Sequence, residues 1–251
     1  MDKFIIRGGI PLKGEITPSG NKNAALPLLA ATLLTSEPVI LHNLPEINDV
    51  KTMRSLLESI GVEIRHIKDH SWRFHAKEIR SSNLDPALCA EIRASVLLAG
   101  PMIARTGRVI LPPPGGDVIG RRRLDTHILA LEALGVKTSY QKKRNLFEFE
   151  TDQLAGTEIL LDEASVTATE NAVMAAATAK GNTIIRNAAS EPHVQEVCHL
   201  LNILGAKITQ IGSNTLHIEG VSKLGGGEFT VGPDYLEVIS YVGAAVLTGG
   251  E

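Results

Sequence analysis

Apolar and polar positions along the chain recur in a pattern that reads as helix, strand, helix, hairpin. An apolar run over Ala24–Leu34 predicts a helix, with Pro27 early enough to sit in its first turn. Val39–His42 reads as a strand. From near Asp49 the residues Val50, Met53, Leu57 and Ile60 keep helical spacing on one face, and the pattern stops at Gly61. Val62–Ile64 then alternates as a strand, and Ser71–Ala76 reads as its hairpin partner. The same order returns twice. Leu57-Glu58-Ser59-Ile60-Gly61-Val62 is matched by Leu131-Glu132-Ala133-Leu134-Gly135-Val136 and by Leu201-Asn202-Ile203-Leu204-Gly205-Ala206. The strand entries Val39, Val109 and Thr183 repeat in step with these glycines, so two landmarks agree on a period of about 72 residues. Each unit has an amphipathic face that it cannot bury alone, so the units are expected to pack together as one α/β body.

The two ends stand outside this count. Phe4–Arg7 and Glu15–Thr17 read as two short strands, separated by Gly8-Gly9 and Pro11. At the other end, Tyr235–Leu247 resembles the opening helices at 24–34, 93–104 and 169–179, and Thr248-Gly249-Gly250 corresponds to Thr106-Gly107 and Lys180-Gly181. A fourth unit thus begins and lacks its sheet, which reads as the front part of a longer architecture. The other reading makes 1–18 and 235–251 a small cap of their own.

A net charge of −3 gives no global preference for nucleic acid, so local charge matters more. No apolar run reaches membrane-spanning length. Cys89 and Cys198 lie far apart within helical patterns and read as reduced core residues, which with an N-terminus lacking signal-peptide character leads to a cytoplasmic expectation. The histidines show no metal-ligand spacing, and neither a metal nor a cofactor is assigned.

The densest chemistry lies in Pro114-Gly115-Gly116-Asp117-Val118-Ile119-Gly120-Arg121-Arg122-Arg123-Leu124-Asp125-Thr126-His127. Glycines let a backbone turn sharply, and arginines offer forked donors suited to phosphate or carboxylate. The bland alternative is a solvated loop. Each unit's opening helix also starts with polar or charged residues: Lys22-Asn23, Arg93 and Ser165–Thr169. Helix starts favour anions. Packed around a pseudo-threefold axis, the units would bring Lys22 and Arg93 together with Arg121–Arg123. Singly, Lys22 reads equally well as a solvated lysine and Arg93 as a surface ion pair. Ser165 and Thr167 read as helix caps, and so does Asp49. His127 is a base or a satisfied structural histidine, the second being preferred.

Ser19-Gly20-Asn21-Lys22-Asn23-Ala24-Ala25-Leu26-Pro27, the stretch Pro114–Gly120 and Asn187-Ala188-Ala189-Ser190-Glu191-Pro192 together resemble the enolpyruvyl transferase family, in the branch that acts on a nucleotide sugar; the sister enzymes of the shikimate pathway differ around the early lysine. The resemblance runs the length of the chain. It implies βαβαββ units around a pseudo-threefold axis, an inside-out α/β barrel. Residues 20–232 would form one complete domain carrying the mobile loop 113–123, and residues 1–19 and 233–251 would be stubs of a second domain completed by a missing C-terminal part. It implies transfer of an enolpyruvyl group from phosphoenolpyruvate to the 3′-hydroxyl of UDP-N-acetylglucosamine with release of phosphate, the first committed step of peptidoglycan synthesis. Carried over residue by residue, Lys22 and Arg122 contact phosphoenolpyruvate or its phosphate. Arg93 contacts a diphosphate or phosphate, and Asn23 contacts the sugar or intermediate. Arg122, Leu124, Asp125, Ser165 and Val166 hold uridine and diphosphate, and Asp117 is the general acid.

The chain departs from the family in two places. Asp117 stands where the family usually has a cysteine, whose thiol the epoxide fosfomycin alkylates. A carboxylate is the poorer nucleophile, so insensitivity to fosfomycin is expected. Neighbouring arginines would keep Asp117 ionised, so its acid role needs a closed site charged by an anionic substrate. Tyr235 stands where the family has arginine, with Val238-Ile239 near a usual threonine-glycine. This second change leaves room for a non-catalytic UDP-sugar-binding paralogue, and a purely structural repeat module is the third reading.

Overall fold

A computed structural model describes residues 3–116 and 123–251. The first unit runs α1 (Lys22–Ala31), a 3-10 turn at Thr32–Leu34, β1 (Val39–His42), α2 (Asn48–Ser59) and the hairpin β2 (Glu63–Lys68) and β3 (Ser71–His75). A short helix α3 (Pro86–Glu91) leads into the second unit: a 3-10 segment Arg93–Leu98, α4 (Ala99–Thr106), β4 (Arg108–Leu111), α5 (Asp125–Ala133), β5 (Lys137–Gln141) and β6 (Leu146–Glu150). After β7 (Glu158–Leu160) comes the third: α6 (Val166–Ala176), β8 (Asn182–Arg186), α7 (Pro192–Ile203), β9 (Lys207–Thr209) and β10 (Thr215–Glu219). The chain ends with β11 (Gly227–Thr230) and α8 (Tyr235–Thr248).

Each unit builds one antiparallel sheet and lends a strand to the next. The sheet orders are β11-β1-β3-β2, β4-β6-β5 and β7-β8-β10-β9. After the first hairpin, Asn83 makes a parallel bridge to Ile110 of β4. After the second, β7 pairs in parallel with β8. After the third, β11 returns to pair in parallel with β1, Val39 opposite Gly227 and His42 opposite Thr230. The three units therefore close on themselves, last to first.

The opening helices of the three units lie inside this ring of sheets. Ala24–Ala31 of α1 and Ala168–Ala176 of α6 are buried without exception, and so are Ala94–Ile103 of the second unit. Helices in this position contact neighbours on every side, which is why these segments lack a polar face. The outer helices α2 and α7 keep a polar side, as their spacing predicts.

The repeat glycines have a common structural cause. Gly61, Gly135 and Gly205 have φ of 108°, 94° and 103°, a region where side chains with a Cβ are strained. In each case the residue after the glycine donates its N–H back to a helix carbonyl: Val62 to Leu57 at 3.0 Å, Val136 to Leu131 at 3.1 Å, Ala206 to Leu201 at 2.9 Å. This left-handed cap closes all three outer helices in the same way and turns the chain into the hairpin.

The second unit opens differently from the expected single helix over 93–104. Its first turn is 3-10, and Asn171 of α6 explains the junction. Gly100 N–H, whose α-helical acceptor would be the Val96 carbonyl, donates instead to Asn171 Oδ1 at 2.7 Å, while Asn171 Nδ2 donates to Val96 O at 2.9 Å. A buried side-chain amide is thus spliced into the helix ladder.

The ends differ from expectation as well. Residues 3–18 form no strand, so neither Phe4–Arg7 nor Glu15–Thr17 is realised, and Phe4, Ile5 and Ile6 are almost fully exposed. A lone strand leaves its backbone groups unpaired, and none of the described residues offers these segments a ladder. Helix α8 forms, capped by Asp234, but none of its residues is buried. The chain enters and leaves the body side by side: Asn21 N–H donates to Gly232 O at 2.9 Å and Asp234 N–H to Ser19 O at 2.8 Å. No helix among the described residues is long and apolar enough to cross a membrane.

Candidate functional site

The starts of the three inner helical segments meet at one end of the body. They line a cleft of about 470 Å³ whose walls include Lys22, Asn23, Arg93 and Val166. Asn21 holds the start of α1, its Oδ1 accepting Ala24 N–H at 3.1 Å, so Lys22 and Asn23 occupy the first turn. Ser165 caps α6 through Ala168 N–H, as expected, and this presents Val166 to the cleft while Ser165 itself is not part of the wall. Arg93 Nη2 donates to Arg123 O at 3.1 Å. That bond connects the cleft to a second hollow of about 360 Å³, walled by Arg93, Arg123, Leu124 and Asp125. Arg123 pairs with Asp125. Asp117, Arg121 and Arg122 lie outside the described residues.

The base of the glycine-rich loop is anchored beside the cleft. Gly115 N–H donates to Cys89 O at 2.9 Å, and a Cβ on Gly115 would stand 1.7 Å from Ala90 O. Only glycine permits that approach, and Gly116 next to it belongs to the cleft wall.

Two expected roles change. Asp49 does not cap α2, which begins after Ile47 without a side-chain cap; its Oδ2 pairs with Lys22 Nζ at 3.1 Å across the cleft mouth. The lysine cation draws the carboxylate more strongly than exposed helix N–H groups can. Thr167 does not cap α6 either, because its Oγ1 is engaged by His127 Nε2 at 3.1 Å. His127 Nδ1 lies 3.0 Å from Asn171 Nδ2, which can only donate, so Nδ1 accepts and Nε2 carries the proton to Thr167. Burial and then the Arg93 charge lower the His127 pKa to about 4, so it is neutral near pH 7. It is a buried structural histidine that locks α5 to α6.

The cleft also holds acids that were not singled out from the sequence. Asp49, Glu91, Glu170 and Glu191 line it against Lys22 and Arg93. Burial holds Glu170 toward its neutral form, and Asp49, Glu91 and Glu191 still face Lys22 and Arg93, so these described walls have no excess positive charge for an anion. His193 completes the wall; its Nδ1 shares a hydrogen bond of 3.1 Å with the Tyr235 hydroxyl, and burial lowers its pKa. Tyr235 therefore joins the start of α8 to the cleft. Glu170 lies between Thr169 and Asn171 in the polar first turns of α6, where no spacing marks it out, and Glu191 stands in the Asn187–Pro192 motif without an assigned role.

Comparison with known proteins places the fold. Residues 6–251 match the model of EPSP synthase (3-phosphoshikimate 1-carboxyvinyltransferase). The chain belongs to the EPSP synthase family. Curated relatives within reach are called UDP-N-acetylglucosamine 1-carboxyvinyltransferase: one from Treponema denticola is 53% identical over 251 residues, 100% of this chain and 58% of the relative. Another, from Bradyrhizobium diazoefficiens, is 53% identical over 246 residues, covering 98% of this chain and 56% of the relative. The chain thus spans a little over half the length of the curated relatives it matches. The enolpyruvyl transferase NikO from Streptomyces tendae superposes with a TM-score of 0.81 at 23% identity, over 94% of this chain and 56% of that one. An EPSP synthase from Acinetobacter baumannii gives 0.72 at 19%, over 93% and 53%. At such identities these two likenesses establish the fold, and the closed ring of three units is the EPSP synthase family architecture.

Proposed function

We propose that the complete protein transfers the enolpyruvyl group of phosphoenolpyruvate to the 3′-hydroxyl of UDP-N-acetylglucosamine in the cytoplasm, releasing phosphate in the first committed step of peptidoglycan synthesis. The observation that carries this reading is the convergence of Lys22, Asn23, Arg93 and Val166 on one cleft in a chain 53% identical, end to end, to proteins named for that reaction. In this reading residues 20–232 are one complete domain, and 1–19 and 233–251 belong to a second one supplied by the remainder of the protein. That remainder would cover the exposed apolar residues of α8 and of the N-terminal segment.

The chemistry asks for charge control. A proton adds to C3 of the enol, the sugar hydroxyl attacks C2 and gives up its own proton, and the tetrahedral intermediate then loses phosphate from C2 and a proton from C3, which restores the double bond. Lys22 and Arg122 hold the phosphate and carboxylate of phosphoenolpyruvate, and Arg93 holds a phosphate of either substrate. Asn23 holds the sugar or the intermediate, while Arg122, Leu124, Asp125, Ser165 and Val166 hold uridine and diphosphate. Asp117 donates the proton once the loop has closed. The acid-rich described walls explain why a loop carrying arginines is needed: it brings the missing positive charge with it. With Asp117 in the acid position, fosfomycin does not inactivate the enzyme.

The test is phosphate release by the complete protein, with phosphoenolpyruvate and with or without UDP-N-acetylglucosamine. Release that depends on the nucleotide sugar, and that falls at least about a hundredfold in Lys22→Ala, is expected. Binding of the nucleotide sugar without turnover would move the protein to a UDP-sugar-binding role.

A further inference from the structure

Helix α6 contains four polar residues, Thr167, Thr169, Glu170 and Asn171, and three of them are fully accounted for. Thr167 meets His127. Thr169 donates to Ser165 O at 2.8 Å and accepts Ala189 N–H at 3.0 Å. Asn171 splices the helix of the second unit. Glu170 is different. It is 1% exposed, it contributes to the cleft wall, and its Oε1 has no hydrogen-bond partner among the described residues. A buried carboxyl oxygen without a partner weakens a fold, so the packing gives no reason for an acid at this position.

Its surroundings indicate what it would bind. Glu170 sits where α6 faces α7, near Glu191 and Cys198, and Glu191 lines the same part of the cleft. A second carboxyl here disfavours phosphate and carboxylate ligands, whereas Lys22 and Arg93 on the first and second units favour them. The α6–α7 side suits an uncharged, hydroxyl-bearing part of a ligand. We propose that Glu170 is a specificity-determining residue of this cleft, hydrogen-bonding a hydroxyl or amide group on the sugar of the nucleotide-sugar substrate; this rests on the transfer reaction proposed above. Burial first, and the Glu191 charge second, hold the Glu170 carboxyl well above the usual carboxylate range. A protonated carboxyl both donates and accepts, which matches a hydroxyl or an amide. The last torsion of a glutamate is broad, so a small rotation turns either oxygen to the ligand.

Glu170→Gln and Glu170→Leu in the complete protein test this. Glu170→Leu is expected to raise KM for UDP-N-acetylglucosamine about tenfold, the value of one well-made hydrogen bond, and to leave KM for phosphoenolpyruvate within about twofold. Glu170→Gln, which keeps a donor and an acceptor, should stay within about threefold of wild type on both. The thermal midpoint of Glu170→Leu should not fall, since a buried carboxyl with an unpartnered Oε1 has been removed. Equal rises in both KM values, no rise for the sugar, or a Gln variant as weak as the Leu variant would overturn the proposal. If the wild-type protein shows no turnover, the transfer reading fails by itself, and titration with UDP-N-acetylglucosamine decides for Glu170: a tenfold weaker Kd in the Leu variant supports it, while an unchanged Kd, or no wild-type binding, overturns it.

Discussion

Helices α6 and α8 share a sequence character and meet opposite fates. Both begin at a side-chain cap, Ser165 and Asp234, and both are rich in alanine and aliphatic residues. Every residue from Ala168 to Ala176 is buried, whereas α8 has no buried residue and Ile239 and Val246 are 67% and 75% exposed. The difference teaches that an all-round apolar helix is made stable by what encloses it. Helix α6 is enclosed by α4, α5, α7 and the sheets of a closed ring. Helix α8 has the same kind of sequence and lies beyond the point where the ring has already shut.

The largest expected effect breaks the enclosed side of this comparison. Asn171→Ala leaves Gly100 N–H and His127 Nδ1 without partners inside the core and takes one of two donors from Val96 C=O, and should cost about 3 kcal/mol in urea unfolding. A loss below about 1 kcal/mol would show that the splice is incidental. Next in size is Gly205→Ala. Nothing lies within 4 Å of a Cβ there, so the cost is conformational alone, about 1 kcal/mol by the same measurement. The smallest effect sharpens the exposed side. Ile239→Ser should change the stability of the 251-residue chain by less than about 0.5 kcal/mol. The same substitution in the complete protein should cost about 2 kcal/mol if the remainder covers α8, and an equal, negligible cost in both would remove the proposed second domain from that face.

Much of this was legible in the sequence because its causes are local. A glycine at positive φ after a helical face is a short-range signal, and three in step revealed the units. The gathering of Lys22, Arg93 and Val166 followed from stacking those units on one axis. What escaped notice depends on partners far along the chain. Strands β7 and β11 are three and four residues long, too short to show alternation, and exist because another unit's edge receives them. The strand patterns at 4–7 and 15–17 are real as patterns but have no ladder to join. Asp49 looked like a cap because its competitor, Lys22, is distant in sequence. Glu170 was hidden by its neighbours: among Thr167, Thr169 and Asn171 one more polar residue reads as part of a polar helix start, and its burial on a cleft wall emerges only when α6 and α7 are packed. The roles of Asp117 and Arg122 are outside what the structure describes and rest on the resemblance.

The pairing of β11 with β1 also sets the number of units. In an open stack of repeats, each unit touches only its neighbours, copies can be gained or lost, and the two end copies need special polar faces. A ring has no end copies. Here the strand that leaves the third unit occupies the edge that the first unit exposes, so an added unit finds no free edge unless the β1–β11 pairing opens. Adding a whole unit, the usual way repeat proteins grow, would therefore have to break an existing strand pairing, whereas change in the loops and helix starts around the cleft leaves the ring intact.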